Sequence, residues 1–491
     1  MKIKKTLLLF FFTVLGSMFI FSGCSLFTHP KKITVKIPKK FKYALSNENF
    51  KIKNDWWKNF KDKRLNNLIS EAVKNNLNYI IAIKNIQVAK TYVSQNESNL
   101  FPTVNFNYSA TRNKQPGYES SIFSGGASSS SPSTVIYNLN QAGLSASYEL
   151  DVWNQLNNAV KQAKANVAVS KEDADVVKLT LISNVAQAYF QISALKESVS
   201  TLKRQYNAQK EVLNIYIIRY KDGLINAEPI ETAKTNLEII KTDLDDSYKL
   251  KALTQNTLAY YLGKFPENFK LPVNPKTKEA LDFHDINYSK LIPPDIPSEI
   301  LTQRPDVKEA EYNILAYAYA KKESLADFFP TFNLTGSYGY ASPSLVNFIT
   351  DANSVWNFGL DILAPIFNYK TNISIYKRSE LRYQQAVLNY RNTIINAFSE
   401  TDSALADFKR DSKTLESYEK NYRYALKLFR IYKTQYKTGI VGRITYLTYK
   451  IGMLNAKYNL INQNLLVKED VINVYNALGM GLNNNKKKNK K

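Results

Sequence analysis

The chain has 491 residues, 44% of them hydrophobic, and a formal charge of +24. Its single cysteine excludes a disulfide scaffold and a cysteine-built zinc site, and with only His29 and His284 there is no histidine-rich catalytic or metal motif. Bases are mixed with acids along lysine- and asparagine-rich stretches, which reads as solvated helix faces rather than the aromatic-laced basic stripe of a nucleic-acid binder.

At the start, Lys2, Lys4 and Lys5 precede an apolar run from Leu7 to Phe21. At that length it is short for a spanning helix, and residues 1–23 have the form of an export signal. The run ends in Phe21-Ser22-Gly23-Cys24, which resembles a bacterial lipobox with Phe21 where Leu is usual. The resemblance implies that Cys24 is diacylated and becomes the mature N-terminus. Ser25 after it, in place of Asp, implies sorting to the outer membrane. Residues 24–64 are then an acylated N-terminal arm, with Trp56 and Trp57 opening the ordered body.

A first repeat is expected over 65–263. Leu65, Leu68, Ile69, Ala72, Val73 and Leu77 mark one face of a helix running to about Leu100, where Phe101-Pro102 ends it. The period then changes to two. Val104, Phe106 and Tyr108 alternate with Asn105, Asn107 and Ser109. After a Ser/Gly-rich loop, Leu144, Ala146, Tyr148 and Leu150 alternate with Ser145, Ser147, Glu149 and Asp151. Strands of about ten residues with one apolar and one polar face suit either a soluble sandwich or a membrane barrel.

Next comes Asn154–Asp222, which contains neither Gly nor Pro. Within it Leu181, Val185, Ala188, Ile192, Leu195, Val199 and Leu202 recur at steps of four and three, the 3.5-residue period of helices that wind around one another. Such a rod is about 100 Å long and cannot lie inside a compact globule. Gly223 ends it, and a half-length helix returns from Ile230 to Leu262, stopped by Gly263.

After a proline-rich linker, 264–297, the pattern recurs over 298–480, and a Lys/Asn-rich tail, 481–491, closes the chain. Leu301–Phe328 is a helix ended by Phe329-Pro330. Two alternating runs follow, Phe332 to Tyr340 and Trp356 to Ile362. A second rod, Tyr369–Thr438, stops at Gly439, and a return helix reaches Leu478-Gly479. Gly223 and Gly439, Leu262 and Leu478, and Gly263 and Gly479 keep one constant offset, as an internal duplication requires. Four strands cannot close a barrel, and lipid tolerates no open sheet edge. The remaining strands must come from other copies: three copies give twelve strands and a pore, whereas two give eight and little lumen.

With these elements placed, the chain resembles a TolC-type outer-membrane factor, in the lipoprotein branch that serves drug and metal efflux pumps. The likeness covers nearly the whole mature chain. It is carried by Leu301-Thr302-Gln303-Arg304-Pro305-Asp306-Val307, Ala310-Glu311, Phe329-Pro330, Trp56-Trp57, Tyr148-Glu149-Leu150-Asp151 and the Gly223 and Gly439 turns. It implies an α+β membrane protein: a homotrimer with a twelve-stranded outer-membrane β-barrel, four strands per chain, continuous with a long α-helical barrel through the periplasm. Residues 264–297 and the chain ends would form an equatorial belt. The expected partners are outer-membrane lipid, a periplasmic membrane-fusion adaptor and an inner-membrane transporter. No enzyme activity, cofactor or metal is expected.

The resemblance also implies a gate at the periplasmic helix tips. Arg443, just past the second turn, is the leading gate residue, with Tyr220, Tyr436 and Tyr446 beside it and Glu228 and Glu231 as the nearest acids. Where the family often has an acid after each turn, this chain has Pro229 and Thr445, so an acidic constriction ring is not expected. Glu149, Asp151 and Asp361 are read as acids of the barrel lumen. Two other readings are a duct for protein secretion and a trimeric coiled-coil adhesin; the duplicated strand pairs argue against the adhesin.

Overall fold

The computed structural model describes residues 33, 35–38, 40–43, 55–116, 134–269, 288, 291–292 and 296–482. The export signal, Cys24, most of the linker 264–297 and the tail beyond 482 lie outside the described residues.

In chain order the elements are α1 (Lys63–Asn75), α2 (Leu77–Ser98), β1 (Thr103–Pro116), β2 (Thr134–Glu149), α3 (Gln155–Lys221) and α4 (Glu228–Tyr261), then α5 (Pro305–Ala326), β3 (Thr331–Ser342), β4 (Ser354–Leu363), α6 (Tyr369–Lys437) and α7 (Arg443–Ala477). The chain divides into two units, each built from both repeats. One contains Gln87–Ala168 and Tyr312–Leu388; the other contains Thr34–Ile86, Val169–Glu311 and Asn389–Lys491.

The first unit holds one sheet of four antiparallel strands in the order β1-β2-β3-β4. Its register carries rows across all four strands. Phe106, Leu144, Tyr338 and Trp356 form one such row; Asn105, Ser145, Ser337 and Asn357 form the adjacent one. Because successive side chains point to opposite faces, one face is aromatic and aliphatic and the other is amide and hydroxyl. The apolar row is open: Phe106 is 70% exposed and Trp356 75%. Beneath the sheet, Trp153 stacks on Phe329 at 4.7 Å and donates its indole N–H to the Pro330 carbonyl at 2.8 Å.

The second unit is helical. The α3 residues Leu181, Val185, Ala188, Ile192, Leu195, Val199 and Leu202 are all buried, as the 3.5-residue period requires. Leu65, Leu68 and Ile69 of α1 and Val467, Val471 and Ile472 of α7 are buried as well. Trp56 stacks on Tyr475 at 5.1 Å and donates its indole N–H to the Met480 carbonyl at 3.0 Å. No described helix is long and apolar enough to cross a membrane.

Two expected helices are interrupted. The run 65–100 breaks at Asn76, whose backbone is extended (ψ 122°). Its side chain accepts from the Tyr79 amide at 3.0 Å and donates to the Tyr261 carbonyl at 3.0 Å, giving the chain an alternative to helical bonding. The run 301–328 begins as a 3-10 turn, Ser298–Gln303, and becomes α-helical only at Pro305. Proline lacks an amide hydrogen and suits a first helical position, while forcing the residue before it, Arg304, out of the helix (ψ 139°).

Candidate functional site

The hairpin tips follow from glycine. At Gly223 (φ 68°) the Leu224 amide reaches back to the Arg219 carbonyl; at Gly439 (φ 75°) the Ile440 amide reaches the Gln435 carbonyl. A left-handed residue with this 6→1 bond closes a helix and reverses the chain. Pro229 then sits in the first turn of α4, and Gly442 caps α7 from an extended conformation.

The two hairpins meet behind these turns. Ala208 and Val212 of α3 bury Leu447 of α7, with Ile215, Tyr216, Tyr446 and Ile451 packed around them. On the rim of this contact the Arg443 Nε donates to Glu211 Oε1 at 2.6 Å. The Arg443 guanidinium carbon lies 5.1 Å from the Tyr436 ring centre and 5.2 Å from that of Tyr446, and those two rings stack at 5.1 Å. One cation is therefore held by a carboxylate of one hairpin and two aromatic faces of the other. The bond to Glu211 raises the Arg443 pKa further, so the clasp is charged at any physiological pH. Farther from the tips, Tyr432 and Tyr449 stack at 3.6 Å.

Of the residues expected at the gate, Arg443, Tyr436 and Tyr446 come together. Tyr220 is 50% exposed. Glu228 and Glu231 are exposed on α4, and Glu231 holds Lys234 at 2.9 Å. The acid that Arg443 uses is Glu211, three turns before Gly223, a position that sequence reasoning passed over. The signal for it was there: Ala208, Val212 and Ile215 continue the apolar stripe of α3, and Glu211 flanks that stripe.

At the sheet, Glu149, Asn333 and Asp361 form one row on the polar face. Asp361 accepts from Thr335 at 3.4 Å, and Asn333 from Ser147 at 3.1 Å. Asp151, expected to be a lumen acid, is used otherwise. It lies past the end of β2 and accepts from the Leu156 amide at 3.0 Å and the Asn157 amide at 2.9 Å, the orphan donors at the start of α3.

The Arg304-Pro305-Asp306 motif is a buried joint. The Arg304 guanidinium, 9% exposed, bonds Asp306 at 2.8 Å and Glu400 at 2.9 Å and also donates to the Ala477 carbonyl. Burial acts to lower its pKa, but the two carboxylates outweigh that and raise it. The motif thus ties the head of α5 to α6 and to the end of α7.

One unit holding a sheet with one open apolar face and one polar face, and the other holding duplicated helical hairpins that clasp one another behind their tips, are the parts of a duct-forming membrane protein. Comparison places it more narrowly. The family model described as outer membrane efflux protein matches residues 68–264 and 296–480, and the chain belongs to that family. It is 28% identical over 473 residues to the cation efflux system protein CusC of Escherichia coli, covering 94% of this chain and 96% of that protein. It is also 28% identical to the probable outer membrane lipoprotein SilC of Salmonella typhimurium, covering 95% and 98%. Among solved structures, the Campylobacter jejuni CmeC outer membrane channel superposes with a TM-score of 0.80 at 25% identity, covering 93% of this chain and 94% of that one. The fold class is that of the trimeric outer-membrane channels, a twelve-stranded barrel with four strands from each chain and an α-helical barrel. The protein is an outer-membrane exit duct for efflux, extending into the periplasm.

Proposed function

We propose that the duct is passive and is held shut at its periplasmic tips by the Arg443–Glu211 clasp, opening when the pump's other components dock. The observation that carries this reading is the clasp itself, a charge-assisted bond between the two hairpins with Tyr436 and Tyr446 behind it. Its two side chains are 41% and 38% exposed, so one pair contributes only about 0–1 kcal/mol. Three copies sum to a barrier that docking energy overcomes.

The partners on this reading are a periplasmic membrane-fusion adaptor and an inner-membrane transporter, with two further copies of the chain. The cargo is a small molecule or ion chosen upstream, because a wide wet lumen offers little selectivity. The chain itself carries out no chemistry. Cys24 is the acylation site; the likeness to SilC, named a lipoprotein, supports this. Residues 65–263 and 298–480 act as the two repeats of the wall, with 264–297 as an equatorial belt.

Single-channel recording in planar bilayers tests the gate. Arg443→Ala is expected to raise conductance or open probability over the parent; unchanged conductance removes the gate assignment.

A further inference from the structure

At the helix end of the sheet, one aromatic joint is complete within the chain and another is left in two halves at the sheet's edges. In the complete joint, Trp153 follows β2 and Phe329 precedes β3. The two rings stack at 4.7 Å, and the indole N–H donates to the Pro330 carbonyl at 2.8 Å. The duplication supplies a counterpart for each side. Phe101-Pro102-Thr103 enters β1 as Phe329-Pro330-Thr331 enters β3. Phe367-Asn368 leaves β4 and opens α6 as Trp153-Asn154 leaves β2 and opens α3. In each case the asparagine carbonyl accepts the amide four residues on, from Asn372 and from Asn158, and both of those side chains are buried.

Phe101 and Phe367 do not complete their joint within one chain. They flank β1 and β4, the opposite edges of the sheet, three strand spacings or about 14 Å apart. Phe101 is 67% exposed and Phe367 fully exposed, and among the described residues neither has a ring partner.

The geometry points to an aromatic joint shared between copies: Phe367 of one chain stacks on Phe101 of the next, at the end of the seam where β4 meets β1. The occupant is a second copy of this chain. The joint presupposes the closed ring of the duct reading and fixes what the ring alone leaves open, the register of that seam. Within the chain Tyr148 stands opposite Leu334, and Ser147 opposite Thr335. The same correspondence sets Ile362 opposite Phe106 and Leu360 opposite Tyr108, with Asp361 opposite Asn107 and Gly359 opposite Ser109. The apolar face stays apolar across the seam and the polar face polar, an agreement that a slip of one residue destroys.

The two joints differ in one donor. Phenylalanine has no N–H, so the Pro102 carbonyl lacks what Trp153 gives to Pro330. Joints with a stack and a hydrogen bond therefore alternate around the ring with joints that have the stack alone, and the seam between copies is the weaker of the two.

Cross-linking, coupling and a gain of stability test this on the full chain. A chain carrying both Phe101→Cys and Phe367→Cys, treated with a short bis-maleimide, is expected to give covalent dimers and trimers on a denaturing gel, with neither single variant doing so. Phe101→Ala and Phe367→Ala are each expected to weaken subunit association about two- to twelvefold per joint, the factor an aromatic pair carries. The double alanine variant is expected to weaken it no further. Phe367→Trp, which supplies the missing N–H, is expected to raise the temperature at which the trimer dissociates. Absence of the cross-link, additive alanine losses, or a Phe367→Trp trimer no more heat-resistant than the parent each overturns the joint. Additive losses without a cross-link are the signature of two rings seated separately in the membrane interface. In any of these cases a parent protein that is trimeric by native mass and conducts keeps the duct reading intact; a parent that does neither removes that reading itself.

Discussion

Arg443 and Glu211 are 232 residues apart in sequence and 2.6 Å apart in space, and they join the two hairpins behind their tips. If this bond is what resists opening, removing either partner has the same effect and removing both adds little. Glu211→Gln is expected to raise open probability by up to roughly fivefold per pair, the Boltzmann factor of about 1 kcal/mol. The double variant Glu211→Gln, Arg443→Ala is expected to match the single variants. Additive effects of the two in bilayer recordings would separate the residues into independent roles.

Arg304 is a different case, because its charge is buried. Its carboxylate partners are 33% and 60% exposed and can be rehydrated, so removing Arg304 costs its own buried hydrogen bonds and packing, about 1–3 kcal/mol. Arg304→Ala is expected to lower the thermal midpoint. Arg304→Lys is expected to rescue little, since a point charge cannot serve Asp306, Glu400 and the Ala477 carbonyl from one planar fork. Gly479→Ala is expected to be destabilising as well: its φ is 68°, and an added Cβ would lie 2.9 Å from the Arg304 Cγ. Thermal unfolding followed by circular dichroism checks all three.

These two sites differ in how far they could be read from sequence. The rods, the strand pairs and the tip glycines were legible because each rests on local periodicity or on one residue's backbone freedom; α3 and α6 begin and end within a residue or so of expectation. The break at Asn76 was not, because it is made by side-chain bonds to Tyr79 and Tyr261, which no spacing reveals. Arg443 was legible as a cation after a turn. Glu211 left one trace, its place beside the apolar stripe of α3, but that it meets Arg443 is a tertiary fact that no spacing on a continuous helix reveals. Asp151 continued the strand's alternation by one more step, yet the strand stops at Glu149 and the carboxylate serves the next helix instead.

Asp470 gives the chain a pH dependence. Its side chain is buried on α7 with Oδ2 lacking a hydrogen bond among the described residues. Burial pushes its pKa up to about 7, with Asp411, Asp407 and Glu469 adding to the rise and Arg410 opposing it. A carboxyl whose folded pKa exceeds its unfolded value of about 3.9 binds more protons when folded. Stability from this group is therefore full at low pH and is lost as pH rises from about 4 through 7. Asp470→Asn, which never ionises, is expected to melt higher than the parent at pH 8 and to differ little from it at pH 5. A gap that widens toward low pH would reverse the sign and remove this account.

On the duct reading the apolar face of the sheet meets lipid and the polar face the lumen, and adjacent residues of β4 test that assignment. Trp356 stands in the row with Phe106, Leu144 and Tyr338; Asn357, one residue on, stands with Asn105, Ser145 and Ser337. A lysine on the lipid face of a barrel costs about 2–4 kcal/mol at mid-depth, less toward the interfaces, and every copy carries that cost. On the lumen face the same lysine stays hydrated. Trp356→Lys is expected to reduce the heat-resistant trimer recovered from the outer membrane. Asn357→Lys is expected to leave that yield unchanged while shifting ion preference toward anions. If the apolar face were the core of a soluble sandwich, Trp356→Lys would unfold the sheet in detergent and in water alike, and Asn357→Lys would leave ion preference as it was. Reversal potentials measured across a salt gradient, read beside the trimer yield, tell these outcomes apart.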